Sequence, residues 1–176
     1  MIKREDQVVN ICVRGVIIED GELIVTEFKD KSWAFFVGGR VDFGESLMTA
    51  LHREMKEEID TAVTVEKLLY FHQNIFANRE GREYHEYGYY FLVRPDKTIC
   101  PNGEIIPNPD SEKLIIRRYP INSELMNNIW PPFLRDHLPK DYAEDFQANP
   151  RFLYSNGIYG KVEIADELAQ AFGLSG

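Results

Sequence analysis

The residues of this chain best suited to chemistry are the carboxylates Glu54, Glu57 and Glu58, which follow the turn Val37-Gly38-Gly39-Arg40. At about 100° per residue, Leu47, Ala50, Leu51 and Met55 form one apolar stripe on a helix over residues 47–59. Glu54 and Glu58 prolong that stripe and Glu57 flanks it, while Thr49, His52 and Lys56 mark the wet face. A core-facing stripe therefore changes from apolar to acidic halfway along. Inward carboxylates are costly unless compensated, and close neighbours resist ionising together. A divalent cation relieves both problems, and oxygen donors suit Mg²⁺, Mn²⁺ or Ca²⁺ rather than thiol-seeking metals. The competing reading is a solvated, Glu-rich helix face.

Spacing separates the two readings. Gly39 is followed after five residues by Glu45, and after seven more by Arg53-Glu54; Met55, Lys56 and Glu57-Glu58 complete the run. The segment Gly39 to Thr61 resembles the Nudix box, the signature of the Nudix hydrolases. That pattern is Gly, five residues, Glu, seven residues, Arg-Glu, an aliphatic, any residue, Glu-Glu, any residue, Gly, an aliphatic. Two places depart from it: Asp60 stands for the Gly and Thr61 for the last aliphatic. The Gly place closes the helix, where a left-handed residue is often needed, and Asp is among the few other residues that tolerate that conformation.

The resemblance implies an α/β fold, the Nudix α/β/α sandwich with a central mixed sheet. It implies a metal-dependent pyrophosphohydrolase that cleaves the diphosphate bond of a nucleoside diphosphate derivative by water attack on phosphorus. The expected metal is Mg²⁺ or Mn²⁺, held by Glu54, Glu57, Glu58 and the carbonyl of Gly38. Arg53 would position the carboxylates, with Gly39 and Glu45 in support, and Ser46 is a plausible N-cap. Metal ions neutralise phosphate oxygens and acidify a water, and a further carboxylate can take the proton. In this family the base varies between a box glutamate, here Glu57 or Glu58, and an acid from a later loop or strand.

Glu86 is the later candidate, in a run rich in aromatics from Glu83 to Val93 that reads as a strand. By alternation it shares a face with Gly88, Tyr90 and Leu92. It is either an edge glutamate in solvent or an acid that approaches the metals. Arg40 either touches a substrate phosphate or is solvated. Arg14, on the Asn10 and Cys12 face of a strand, reads first as a buried ion pair and second as a phosphate contact. The cluster Trp33-Ala34-Phe35-Phe36 could stack a base, although aromatics beside a strand more often belong to a core.

The elements that must position these residues follow from periodicity and turn signals. Strands are expected over Val8 to Ile18, Glu22 to Phe28, Trp33 to Val37, Val63 to Phe76, Tyr84 to Arg94 and Lys113 to Tyr119. Asn78 to Gly81 turns one long strand into the next. Pro101 to Pro109 reads as a loop, and Asn122 to Asn128 and Pro132 to Leu138 as short helices. Residues 140–160 read as polar and irregular, and Val162 to Phe172 has helical spacing. One domain is expected over residues 1–176, with a core over about 6–140 and an extension over 141–176.

The chain has 176 residues, 44% of them hydrophobic, and a net charge of −9. That charge and the lack of a basic stripe disfavour a nucleic-acid polymer as partner and leave a small phosphorylated nucleotide. No run approaches the roughly 18 apolar residues of a membrane span. Cys12 and Cys100 lack metal-type spacing and fit thiols in a reducing cytoplasm. A homodimer is compatible with these features. The substrate is not legible: Ile75-Phe76 and Ala77-Asn78 stand where the ADP-ribose and dinucleoside-polyphosphate subgroups carry Pro and Tyr. A nucleoside triphosphate or a nucleotide sugar is the default expectation.

Overall fold

The computed structural model describes residues 7–78, 80–157 and 161–163, the last three as backbone. In chain order the strands are β1 (Gln7–Val16), β2 (Ile18–Glu19), β3 (Glu22–Phe28), β4 (Ala34–Phe36), β5 (Val63–Ala77), β6 (Glu83–Pro95), β7 (Ile106–Pro107), β8 (Leu114–Pro120), β9 (Arg151–Asn156) and β10 (Lys161–Glu163). The helices are α1 (Leu47–Ile59) and α2 (Phe133–Ala143), with 3₁₀ turns at Pro101–Gly103 and Glu124–Asn128.

The first sheet is mixed, in the order β1-β6-β5-β9-β10. β1 runs parallel to β6, β6 antiparallel to β5, and β5 parallel to β9. The second sheet has the order β2-β3-β8-β7, with β4 added to β3. The β5–β6 hairpin is closed by Asn78, whose side-chain oxygen accepts from the backbone N–H groups of Glu80 and Arg82.

Two apolar clusters sit under the two helices. Ala50, Leu51, Met55 and Ile59 of α1 pack on Val13, Ile17, Val37, Phe91 and Val93. Phe133, Leu134 and Leu138 of α2 pack on Phe36, Tyr70, Tyr90 and Leu153. Each fully buried side chain of this size contributes about 1.5–3 kcal/mol, so the helix stripe that reads from the sequence is also what fixes α1 to the sheet.

Two expectations need correction. The expected irregular stretch 140–160 is ordered over its described residues 140–157: α2 runs through Ala143, and β9 lies between β5 and β10. The polar residues of that stretch serve the packing, since Asp141 is buried and accepts from Arg151 (2.9 Å) and the Tyr70 hydroxyl (2.9 Å). Val162 and Glu163 lie on a strand rather than a helix, and residues 164–172 of that expected helix lie outside the described residues. The stretch from Pro101 to Pro109 also holds one 3₁₀ turn and the short β7.

Candidate active site

The Gly-rich turn is the seam between the sheets. Gly15 N–H donates to the Val37 carbonyl, Val13 N–H to the Gly39 carbonyl, and Val41 N–H to the Ile11 carbonyl, each at 2.9 Å. The turn lies so close to β1 that Gly38, at φ 129°, has no room for a side chain: a Cβ there would sit 3.1 Å from the Arg14 Cα and closer still to the Val13 carbonyl oxygen. At Gly39 an added carbon would lie 2.6 Å from the Glu54 Cδ, so a side chain there would have to shift that carboxylate. The two glycines thus bring backbone and carboxylates together.

Helix α1 starts at Ser46, whose hydroxyl accepts from Thr49 N–H, and ends at Asp60 in the left-handed conformation, φ 48° and ψ 45°. Between these caps Glu54 and Glu58 are both buried at 7% exposure, as the stripe requires. Glu58 accepts from Gly38 N–H (3.0 Å) and from Asn108 Nδ2 (3.1 Å). Burial pushes both carboxyls above the ordinary range, against the pull of Arg53 on Glu54 and of Gly38 N–H and Asn108 on Glu58.

Arg53 organises the remaining acids. Its Nε and Nη2 clamp Glu45 at 2.9 and 3.0 Å, and its Nη1 donates to Glu54 (2.8 Å) and Glu57 (3.0 Å). Nη2 also donates to the Arg40 carbonyl at 3.0 Å. The hydrogen bond from Arg53 holds the Glu45 carboxyl below its usual range. Arg53 and Glu45, expected to support the site, are thus paired with each other and joined to Glu54 and Glu57.

The structure brings together Glu54, Glu58 and a third acid that sequence reasoning did not single out, Asp110, with carboxylate oxygens within 4.8 Å of one another. Asp110 lies between β7 and β8, in a turn where its N–H donates to the Asn108 side-chain oxygen. The same Asn108 amide holds Glu58, so one residue ties the loop to the helix. Three carboxylates this close, two of them buried, repel unless a cation joins them, and all-oxygen donors fit a hard divalent ion.

Glu57, expected among the ligands, is outside that trio: its side chain is 54% exposed and paired with Arg53. The Gly38 carbonyl, also expected as a ligand, accepts from Arg14 Nη1. Arg14 makes no ion pair among the described residues. It donates to the Phe36 carbonyl at 3.2 Å and lies over the Phe35 ring at 5.3 Å. The Arg40 side chain is exposed.

Glu86 shares a pocket with Arg14. A pocket of about 180 Å³ is lined by Arg14, Phe35, Phe36, Phe76, Glu86, Tyr90, Trp130 and Pro131. Within the cluster Trp33 to Phe36, Ala34 and Phe36 are core, Phe35 lines this pocket, and Trp33 packs edge-on against Trp130 at 4.9 Å. The core reading thus holds for Ala34 and Phe36, while Phe35 faces the pocket.

A family model described as the NUDIX domain matches residues 9–137. Among solved structures, the chain is similar to a mutator MutT protein from Bacillus halodurans, at 13% identity and a TM-score of 0.57, covering 87% of this chain and 94% of that one. It is similar to a UDP-X diphosphatase, at 15% identity and a TM-score of 0.53, covering 85% and 68%. It is also similar to an ADP-ribose pyrophosphatase from Streptococcus suis 89-1591, at 15% identity and a TM-score of 0.51, covering 84% and 98%. At such identities these structures speak for the fold. No curated protein sequence gives a significant match.

Proposed function

Because the chain belongs to the Nudix family of pyrophosphohydrolases, we propose that it hydrolyses the diphosphate bond of a nucleotide-type substrate with Mg²⁺ or Mn²⁺ held at Glu54, Glu58 and Asp110. The observation that carries this reading is the trio itself: two buried carboxylates and a loop acid with oxygens within 4.8 Å of one another. A bound cation would supply charge neutralisation at the phosphate oxygens and a lowered pKa for an attacking water. The Gly38 carbonyl has a second lone pair beside the one given to Arg14 and can add to the donor set.

The protein's own groups do the rest. Arg53 fixes Glu54 and Glu57 relative to each other through one nitrogen. Glu57, exposed and beside the trio, takes the proton from the attacking water. Arg14 and Arg40 flank the turn and offer positive charge to the phosphate chain. The similarity to a UDP-X diphosphatase and to an ADP-ribose pyrophosphatase supports a nucleotide-linked diphosphate as substrate. Free, buried Cys12 and Cys100 support a reducing compartment such as the cytoplasm.

The test is release of phosphate-containing products from nucleoside triphosphates, nucleotide sugars, ADP-ribose and dinucleoside polyphosphates, with Mg²⁺ or Mn²⁺. Glu57→Gln should lower kcat about 10²–10⁴-fold, as loss of a general base does, with the fold retained. Silence of the native protein across the panel, or full activity of both Glu57→Gln and Glu58→Gln, would overturn the assignment.

A further inference from the structure

The pocket that Arg14 shares with Glu86 holds about 180 Å³, and Arg14 also donates to the Gly38 carbonyl of the Gly-rich turn. Pockets for drug-sized ligands run roughly 300–1,000 Å³, so this one takes a single ring system rather than a whole nucleotide. Its walls include Phe35, Phe76, Tyr90 and Trp130. Every base has a π-face, so such walls give affinity with little discrimination. Discrimination must come from the polar atoms among them.

Two charged side chains line the pocket, Arg14 and Glu86. Arg14 spends Nη1 on the carbonyls of Phe36 and Gly38. Glu86 is held from its own sheet: Oε2 accepts from Asn10 Nδ2 at 2.8 Å and lies 3.4 Å from Cys12 Sγ. Asn10 also reaches Cys12 Sγ at 3.1 Å, which uses both of its amide hydrogens. Both residues are buried, so the Glu86 carboxylate is fixed in place. Among the described residues no ion pair joins Glu86 and no hydrogen bond reaches Oε1. Directly across the β5–β6 ladder stands Asn74, 4% exposed, whose amide nitrogen has no partner. A fixed carboxylate with one oxygen to spare, among aromatic walls, is built to accept a hydrogen bond from a ligand.

Resting on the reading of the chain as a nucleotide hydrolase, we propose that Glu86 determines which base is accepted, its Oε1 accepting from the exocyclic amino group of a nucleobase held between the aromatic walls. An ionised carboxylate can only accept. A base without an amino group there leaves the carboxylate desolvated and unpaired, which is how a polar site rejects the wrong ligand. Glu86 is then a recognition group rather than the base that activates water.

The experiment has a binding arm that needs no turnover. Quenching of tryptophan emission, with Trp130 in the pocket wall, is followed for nucleoside monophosphates in pairs that differ by the amino group: adenosine with purine riboside, guanosine with inosine, cytidine with uridine. In the native protein one amino-bearing member should bind about tenfold or more tighter than its partner. Glu86→Met should bring that pair within about twofold, and Glu86→Gln, which keeps one acceptor, should lie between. With a hydrolysed nucleotide, the change should fall in KM with kcat retained. No binding by any member, or a preference that survives Glu86→Met, overturns the proposal. So does a kcat that falls alike for every base while binding is unaltered, since that is the signature of a general base. Base preference without turnover of any nucleotide would leave this inference standing and sink the hydrolase reading.

Discussion

At Gly39 a single hydrogen atom decides the geometry of the trio. A methyl group there would sit 2.6 Å from Glu54 Cδ, so Gly39→Ala must displace the carboxylate. Overpacking of this kind costs about 1–3 kcal/mol, and loss of ligand orientation typically weakens metal binding about 10–100-fold. Titration of the variant with Mn²⁺ should show that weakening in a protein that still folds; an unchanged Kd would remove Glu54 from the ligand set. The inward placement of Glu54 and Glu58 was legible from helical phase, and the box spacing was needed to read it as a site. Glu57 carries the same signature, yet its place on the flank turns it to solvent, and phase cannot say which flank faces the site. Asp110 had no signal in the sequence, because its position depends on Asn108 reaching a glutamate fifty residues earlier. Only the folded chain makes that approach.

Helix α1 was legible from end to end because three local rules agree on it: the apolar period, the Ser46 cap and the closing residue. Asp60 adopts φ 48°, where a residue with a Cβ normally pays about 1–2 kcal/mol and Asp or Asn pays less. Asp60→Ala should therefore lose about 1 kcal/mol of stability, while Asp60→Asn stays close to the native protein. Loss of the Lys56 ion pair adds little, since both partners are largely exposed. Neither variant should change kcat; thermal unfolding beside a turnover assay checks both halves, and a large loss of activity would show that the helix end positions the site. Strand β9 was illegible for the opposite reason. Its residues Arg151 to Asn156 bury little beyond Leu153 and Asn156, and its pairing with β5 is parallel and distant in sequence. Buried Asp141, which reads as loop polarity, in fact anchors Arg151.

For the whole molecule, the trio sets an opposition between folding and pH that a cation bound there would reverse. Burial raises the folded-state pKa of Glu54 and Glu58, so the folded chain binds those protons more tightly than the unfolded one. Without metal, their contribution to stability grows as pH falls from above the raised values to the ordinary carboxylate range, and is constant below it. Glu45, lowered by Arg53, acts in the opposite sense: its contribution is present above its unfolded pKa and is lost as pH falls through the folded one. A divalent ion held at the trio, as proposed, would bind its deprotonated form and release its protons. Mg²⁺ or Mn²⁺ should therefore raise Tm more at pH 8 than at pH 5.5, and an increment independent of pH would mean that the metal sits elsewhere. The seam at residues 37–41 has one more consequence at this scale. β1 is the outermost strand of its sheet, and its free side from Ile11 to Gly15 is occupied by hydrogen bonds to that turn. An uncovered strand of this kind is a template for pairing with other chains. The turn that places the carboxylates is therefore also a guard against aggregation, and damage to it would appear first as loss of soluble protein.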